Sequence, residues 1–171
     1  MTEAISMYNA SVPVFKQLLT ALNAILDKAQ AHIASNDLRP ESLLQASLFP
    51  EMFNFTRQVQ IAADFAKGVT ARLSGVEAPA YDDNETSFDA LKTRINKTLQ
   101  FISDADPEAM TGSEEKEIIL RPGTPKEKKL TGHSYLLHYG LPQFFFHVTT
   151  AYDILRNQGV DIGKRDYMGT Y

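Results

Sequence analysis

Leu141-Pro-Gln-Phe-Phe-Phe-His-Val-Thr-Thr-Ala-Tyr-Asp-Ile-Leu-Arg-Asn-Gln-Gly159 is the stretch whose reading decides the fold. Phe144, Phe145, Val148, Ala151, Tyr152, Ile154 and Leu155 recur three and four apart, which is the period of one helical face, and the stripe is broader than a surface helix needs. The spacing predicts the last and most buried helix of an all-α bundle. Pro142 suits a first turn, where a missing N–H is tolerated, and Gly159 suits the left-handed position just past the end. Gln143 and His147 are four apart and stack on one face, two polar groups set into an apolar surface. They are the chemically loaded pair of the stretch.

Working outward, three more segments carry helical periodicity. From about Thr2 to Ala34, Ile5, Tyr8, Val12, Phe15, Leu18, Leu19, Leu22, Ile25, Leu26 and Ala29 keep the spacing. Pro13 interrupts this helix, so a kink is expected around Asn9, or a break into two helices. Pro40 opens a short turn through Leu44, and Pro50 is expected to open the second long helix. Phe55, Val59, Ala62, Ala66, Val69 and Leu73 line its core face, with Arg57, Gln60, Asp64 and Lys67 opposite as a mostly solvated stripe and Gln58 toward the inner edge. Gly75 ends that helix. A polar loop from Val76 to Glu85 follows, and Thr86 with Asp89 reads as a capping box for a third helix running to about Ser103. Its buried stripe is Phe88, Leu91, Ile95, Leu99 and Ile102.

The period then changes. Glu115 to Leu120 and Lys126 to Leu130 flank Arg121-Pro-Gly-Thr-Pro125, the pattern of a β-hairpin, with a mobile loop over residues 112–132 as the alternative. Lys126, Lys128 and Lys129 are expected to face Glu114, Glu115 and Glu117 across it. His133 to Tyr139 is expected to be helical, with a kink or break at Gly140-Leu-Pro142. The tail from Val160 to Tyr171 is too apolar to hang free and is expected to pack back on the helices. Phe144-Phe145-Phe146 places one ring outside the core stripe, which points to a subunit interface or a covering segment.

Composition bounds the function. A chain of 171 residues suits a single domain, 1–171, that removes roughly 70% of its unfolded surface from water. The net charge of −4 argues against a nucleic-acid partner, and zero cysteines exclude disulfides, thiolate ligands and a cysteine nucleophile. No run approaches the roughly 20 apolar residues of a membrane span, and Glu3 precedes any basic residue, so no membrane association, no signal peptide and a cytoplasmic address are expected.

His147 followed by Leu155-Arg156 and Gly159 resembles the fourth helix of the DinB/YfiT-like bundles, a superfamily regarded as metal-dependent enzymes. The run from His147 through Tyr167, the opening Tyr8-Asn-Ala-Ser-Val-Pro-Val-Phe15, and Phe49-Pro-Glu-Met52 with Arg57-Gln58-Val59 are similar to a bacterial branch of it classed only as a domain of unknown function. The resemblance implies an up-down four-helix bundle with a small hairpin before the last helix, often paired as a homodimer. It also implies a site of one histidine from the second helix and two, four apart, from the fourth. Aligned on Leu155-Arg156, His147 falls on the second of that pair, Gln143 on the first, and Gln58 on the remaining position. Neutral carboxamides are poor substitutes for imidazole toward zinc or nickel. No cofactor is therefore expected, and His147 is the only retained candidate ligand, with a divalent zinc or nickel ion as the alternative.

Gln58, Gln143 and His147 are thus read as a structural polar spot or a pocket for a small molecule, with His147 and Gln143 expected to point inward and bond Gln58 or a buried water. His133 and His138, five apart and off one helical face, and His32 read as surface or packing residues. Gly163-Lys164 lacks the loop and helix of a phosphate cradle and reads as a turn. Two function classes stay open: a non-catalytic or small-ligand-binding homodimeric bundle, and a metal-dependent transferase or hydrolase.

Overall fold

Proline and cap chemistry set the helix boundaries. The structure, a computed structural model, describes residues 5–171. Its first helix, α1 (Val12–Ser35), carries Pro13 in its first turn instead of kinking there. A first-turn proline gives up no bond, so the start expected near Thr2 and the kink at Asn9 are corrected, and residues 7–11 form turns ahead of the helix. Thr2 itself lies outside the described residues. Pro40 introduces α2 (Glu41–Leu44) as expected. The next helix, α3 (Phe55–Ser74), starts five residues later than Pro50 because Asn54 Oδ1 accepts from the Arg57 N–H at 2.9 Å, a stronger start signal than a proline alone. Gly75, at φ 76°, closes it. Ser87, not Thr86, caps α4 (Phe88–Ser103), accepting from the Ala90 N–H at 3.1 Å.

The changed period does give a hairpin. Strands β1 (Glu117–Leu120) and β2 (Lys128–Thr131) pair antiparallel, with Glu117 opposite Thr131 and Leu120 opposite Lys128. Ile118 and Leu120 turn into the core, and Lys129 lies 3.7 Å from Glu117 as the ion pair across the strands. Gly132 is where the hairpin rejoins the helices. A Cβ there would lie 1.8 Å from the Ser113 carbonyl oxygen, so only glycine fits.

From Gly132 the chain is helical without a break. It runs through α5 (Gly132–Tyr135), one π turn (Leu136–Gly140) and α6 (Leu141–Asn157). Of the kink or break expected at Gly140-Leu-Pro142, the break is absent, and this π turn is a widening that accommodates the missing N–H of Pro142 within a continuous helix. Gly140 lets it press on α3, since a Cβ there would lie 2.7 Å from Val69 Cγ2.

The core lies among the four long helices, with α3 packed on α6 and α4, and α1 on α4 and α6. Phe15 meets Phe144 edge-on at 4.8 Å, joining the first helix to the last. Val59, Ala62, Ala66 and Ile154 are fully buried, as the spacing predicts. Two expectations about faces fail. Phe145 and Phe146 are 38% and 54% exposed, so two rings, not one, lie outside the core. The stripe opposite the α3 core face is not solvated either: Gln60 and Lys67 are buried, because the 76–87 loop folds back over them. The tail packs on α1 through α7 (Lys164–Met168), held by Gln17 Nε2 to the Met168 carbonyl at 2.8 Å and Lys28 to Asp166 at 2.7 Å, while Tyr171 at the end is exposed. Among the described residues no helix is long and apolar enough to cross a membrane.

Candidate functional site

Packing α3 against α6 brings Gln58 and His147 together. His147 Nδ1 lies 2.7 Å from Gln58 Oε1, and Gln58 Nε2 donates to the Phe53 carbonyl at 3.1 Å. The second bond orients the carboxamide, so its oxygen faces the ring and the imidazole proton sits on Nδ1. Both side chains are buried, at 1% and 7% exposure. Phe65 stacks on the imidazole at 5.9 Å and Phe146 meets it edge-on at 5.2 Å. Burial, with a smaller contribution from the Arg57 charge, pushes the His147 pKa down to about 4, so the ring is neutral at physiological pH.

Gln143 does not join this pair. It is half-buried and borders a separate groove of about 250 Å³ with His138, Tyr139, Pro142 and Phe146. His133 and His138, expected to lie on different faces, come within 6.1 Å of each other because a π turn brings residues five apart into register. His32 sits near the end of α1, where Asn36 Nδ2 approaches its Nδ1 at 3.4 Å. Gly163 opens α7, its N–H donating to Asp166 Oδ2 at 2.8 Å, which is a turn and not a phosphate cradle.

The residues at the sequence-aligned site do not fit the zinc or nickel that the resemblance implies. One imidazole and two carboxamides make a weak donor set, and the Gln58 oxygen already accepts from His147. Among the described residues no three His, Asp or Glu side chains converge to hold an ion.

A second polar centre lies outside the expected sites. Arg94 from α4 is 98% buried as a side chain, yet its Nη2 lies 2.8 Å from both Asp64 and Asp83 and its Nη1 3.0 Å from Glu85. Arg57 also holds Asp83 at 2.7 Å, Gln60 holds Glu85 at 2.7 Å, and Lys67 holds Asp64 at 3.0 Å while lying 3.6 Å from the centre of the Tyr81 ring. Burial alone would raise the Asp83 and Glu85 carboxyls, but Arg57, Arg94 and Gln60 outweigh it and hold both below their ordinary values. One signal pointed here. Arg94 falls three after Leu91 and next to Ile95, inside the apolar register of α4.

Together, the helical fold and the hairpin ahead of α6 place the chain among proteins of the DinB-like kind. A solved structure described as a DinB family member protein from Shewanella denitrificans is similar to it, with 38% identity and a TM-score of 0.91 over 96% of this chain and 93% of that one. The family model "Domain of unknown function (DUF1993)" matches residues 7–168, and the chain belongs to that family. No curated protein matches the chain.

Proposed function

We propose that this protein is a non-catalytic, small-molecule-binding member of the DinB-like fold, an up-down four-helix bundle in which the metal position holds a neutral hydrogen-bonded pair. The observation that carries the reading is the 2.7 Å contact between His147 Nδ1 and Gln58 Oε1. A transferase or hydrolase relying on a bound metal needs several imidazole, thiolate or carboxylate ligands plus an open position. His147 offers a single unprotonated nitrogen, Nε2, with two carboxamides in place of the other imidazoles. Metal analysis of protein purified without chelator or a nickel column tests the reading. Background zinc and nickel are expected; a stoichiometric ion lost in His147→Ala would overturn it in favour of the metal-dependent enzyme.

We also propose that the protein works as a homodimer. Phe145, Phe146 and Leu137 on the last helical stretch are exposed, as are Phe49 and Phe53 in the segment leading into α3. Surface rings in this number favour a covered face. Sedimentation at micromolar concentration should give a dimer that Phe146→Asp weakens, and a monomer for the native chain would refute the proposal.

A further inference from the structure

Further along α3 than Gln58, between that helix, the hairpin tip and the π turn, lies a second cavity of about 250 Å³. Its floor is aromatic. The Tyr135 and Tyr139 rings stack 6.0 Å apart at an interplanar angle of 27°, and Phe65 meets Tyr139 edge-on at 5.8 Å. Its rim is cationic, formed by Arg72 and Arg121. Arg72 Nη1 donates to the Gly68 carbonyl at 3.1 Å and contacts the Tyr135 hydroxyl at 3.3 Å. Among the described residues neither arginine has a carboxylate partner. Asp64 also reaches the cavity, but Lys67 and Arg94, at 3.0 and 2.8 Å, already compensate its charge. Two uncompensated guanidinium groups over a stacked aromatic floor are complementary to a flat ligand carrying a negative charge, since the guanidinium fork matches a carboxylate and rings pack on rings.

We infer that this cavity is the ligand site and that it takes a small aromatic carboxylate, with its ring on the half-buried Tyr139 and Phe65, backed by the buried Tyr135, and its carboxylate between Arg72 and Arg121. The inference rests on the ligand-binding reading above and gives that ligand a place and a chemical class. It moves the binding site away from Gln143. It also couples the site to the buried pair, because the Phe65 ring packs on Tyr139 at 5.8 Å and lies nearly parallel to His147 at 5.9 Å.

The test is calorimetric titration of the full chain with benzoate, with benzamide as the uncharged ring and inorganic phosphate as the ringless anion. Benzoate should saturate at one per chain, and both controls should bind at least roughly tenfold more weakly. Arg121→Asn, in an exposed turn at φ 50° that asparagine tolerates, and Arg72→Gln should each weaken benzoate at least roughly tenfold. Gln143→Ala should leave it unchanged. Undetectable benzoate binding at millimolar concentration, or binding indifferent to both arginine changes, overturns the inference. Should Arg72→Gln unfold, Arg121→Asn alone decides. Binding lost in Gln143→Ala but kept in the arginine variants overturns this site and leaves the ligand-binding reading standing.

Discussion

His147 and Gln58 meet across 89 residues of chain, imidazole Nδ1 to carboxamide Oε1 at 2.7 Å, and the contact fixes how α6 sits on α3. A buried polar pair of this kind tolerates little slip, because moving either helix by a residue would leave one partner unsatisfied at a cost of about 1–3 kcal/mol. Burial of the pair, with a smaller contribution from the Arg57 charge, keeps the ring neutral.

Stability should therefore depend on pH through His147. Its pKa in the folded protein is about 4 against an ordinary 6.5. Above pH 6.5 the ring is neutral in both folded and unfolded chains and imposes no penalty. As pH falls from there toward about 4 the unfolded chain takes up a proton that the folded chain refuses, so stability declines across that window, by at most about 3 kcal/mol. Below about 4 the folded form protonates as well and this contribution levels off. Urea unfolding of native protein and His147→Gln at intervals from pH 7.5 to 4 checks it. The variant should lose most of the slope, and parallel curves would assign the pH dependence elsewhere.

Arg94→Met removes the one cation shared by Asp64, Asp83 and Glu85. Carboxylates left close together without a buried partner cost about 3–5 kcal/mol, and the lower end is expected because the Asp64 and Asp83 side chains are 34% and 39% exposed. The 76–87 loop, tied down through Asp83 and Glu85, should become sensitive to limited proteolysis in the variant before the helices do. A variant as stable and as protease-resistant as the native chain would show that Arg57, Gln60 and Lys67 suffice to hold the loop.

Gly140→Ala tests the π turn. The added Cβ would lie 2.7 Å from Val69 Cγ2, a stiff β-branched side chain on a packed helix, so a loss of about 1–3 kcal/mol is expected. Val69→Ala creates the missing space. In a double-mutant cycle the two changes should couple favourably by about 1 kcal/mol. Additive losses would mean the alanine is rejected by the helix backbone and not by Val69.

Periodicity exposed the helices and the hairpin because each buries one face, and a face leaves a regular trace in the order of residues. Boundaries were harder to read, since Pro50 and Thr86 are plausible starts until Asn54 and Ser87 are seen in place, and Pro13 reads as an interruption until it is seen in the first turn of α1. The pairing of Gln58 with His147 could be approached from the sequence only by laying the chain over a related pattern. Nothing local links residues on separate helices. The Arg94 cluster was hidden for a further reason: Gln60 and Lys67 look like surface residues in the α3 pattern, and they are buried only because the 76–87 loop, which has no periodicity of its own, folds over them.

Rebuilding the ligand set tests what the carboxamides do. Gln58→His places an imidazole opposite His147, and Gln143→His adds one a turn earlier on α6. Single changes should bind zinc weakly, because two imidazoles leave most of the coordination to water; the double variant supplies three and should retain zinc through gel filtration. Folding should read out the same event. Gln58→His alone replaces a carboxamide bonded to both His147 and the Phe53 carbonyl with a ring that cannot reproduce both bonds, so the metal-free variant should be less stable by about 1–3 kcal/mol. Zinc should restore stability in the double variant in proportion to its occupancy. Zinc retention that appears with Gln58→His and needs no change at Gln143 would place the third ligand elsewhere. A double variant that holds no zinc at all would mean that Gln143, set in its separate groove beside His138 and Phe146, is too far off the Gln58–His147 axis for any side chain there to complete a site.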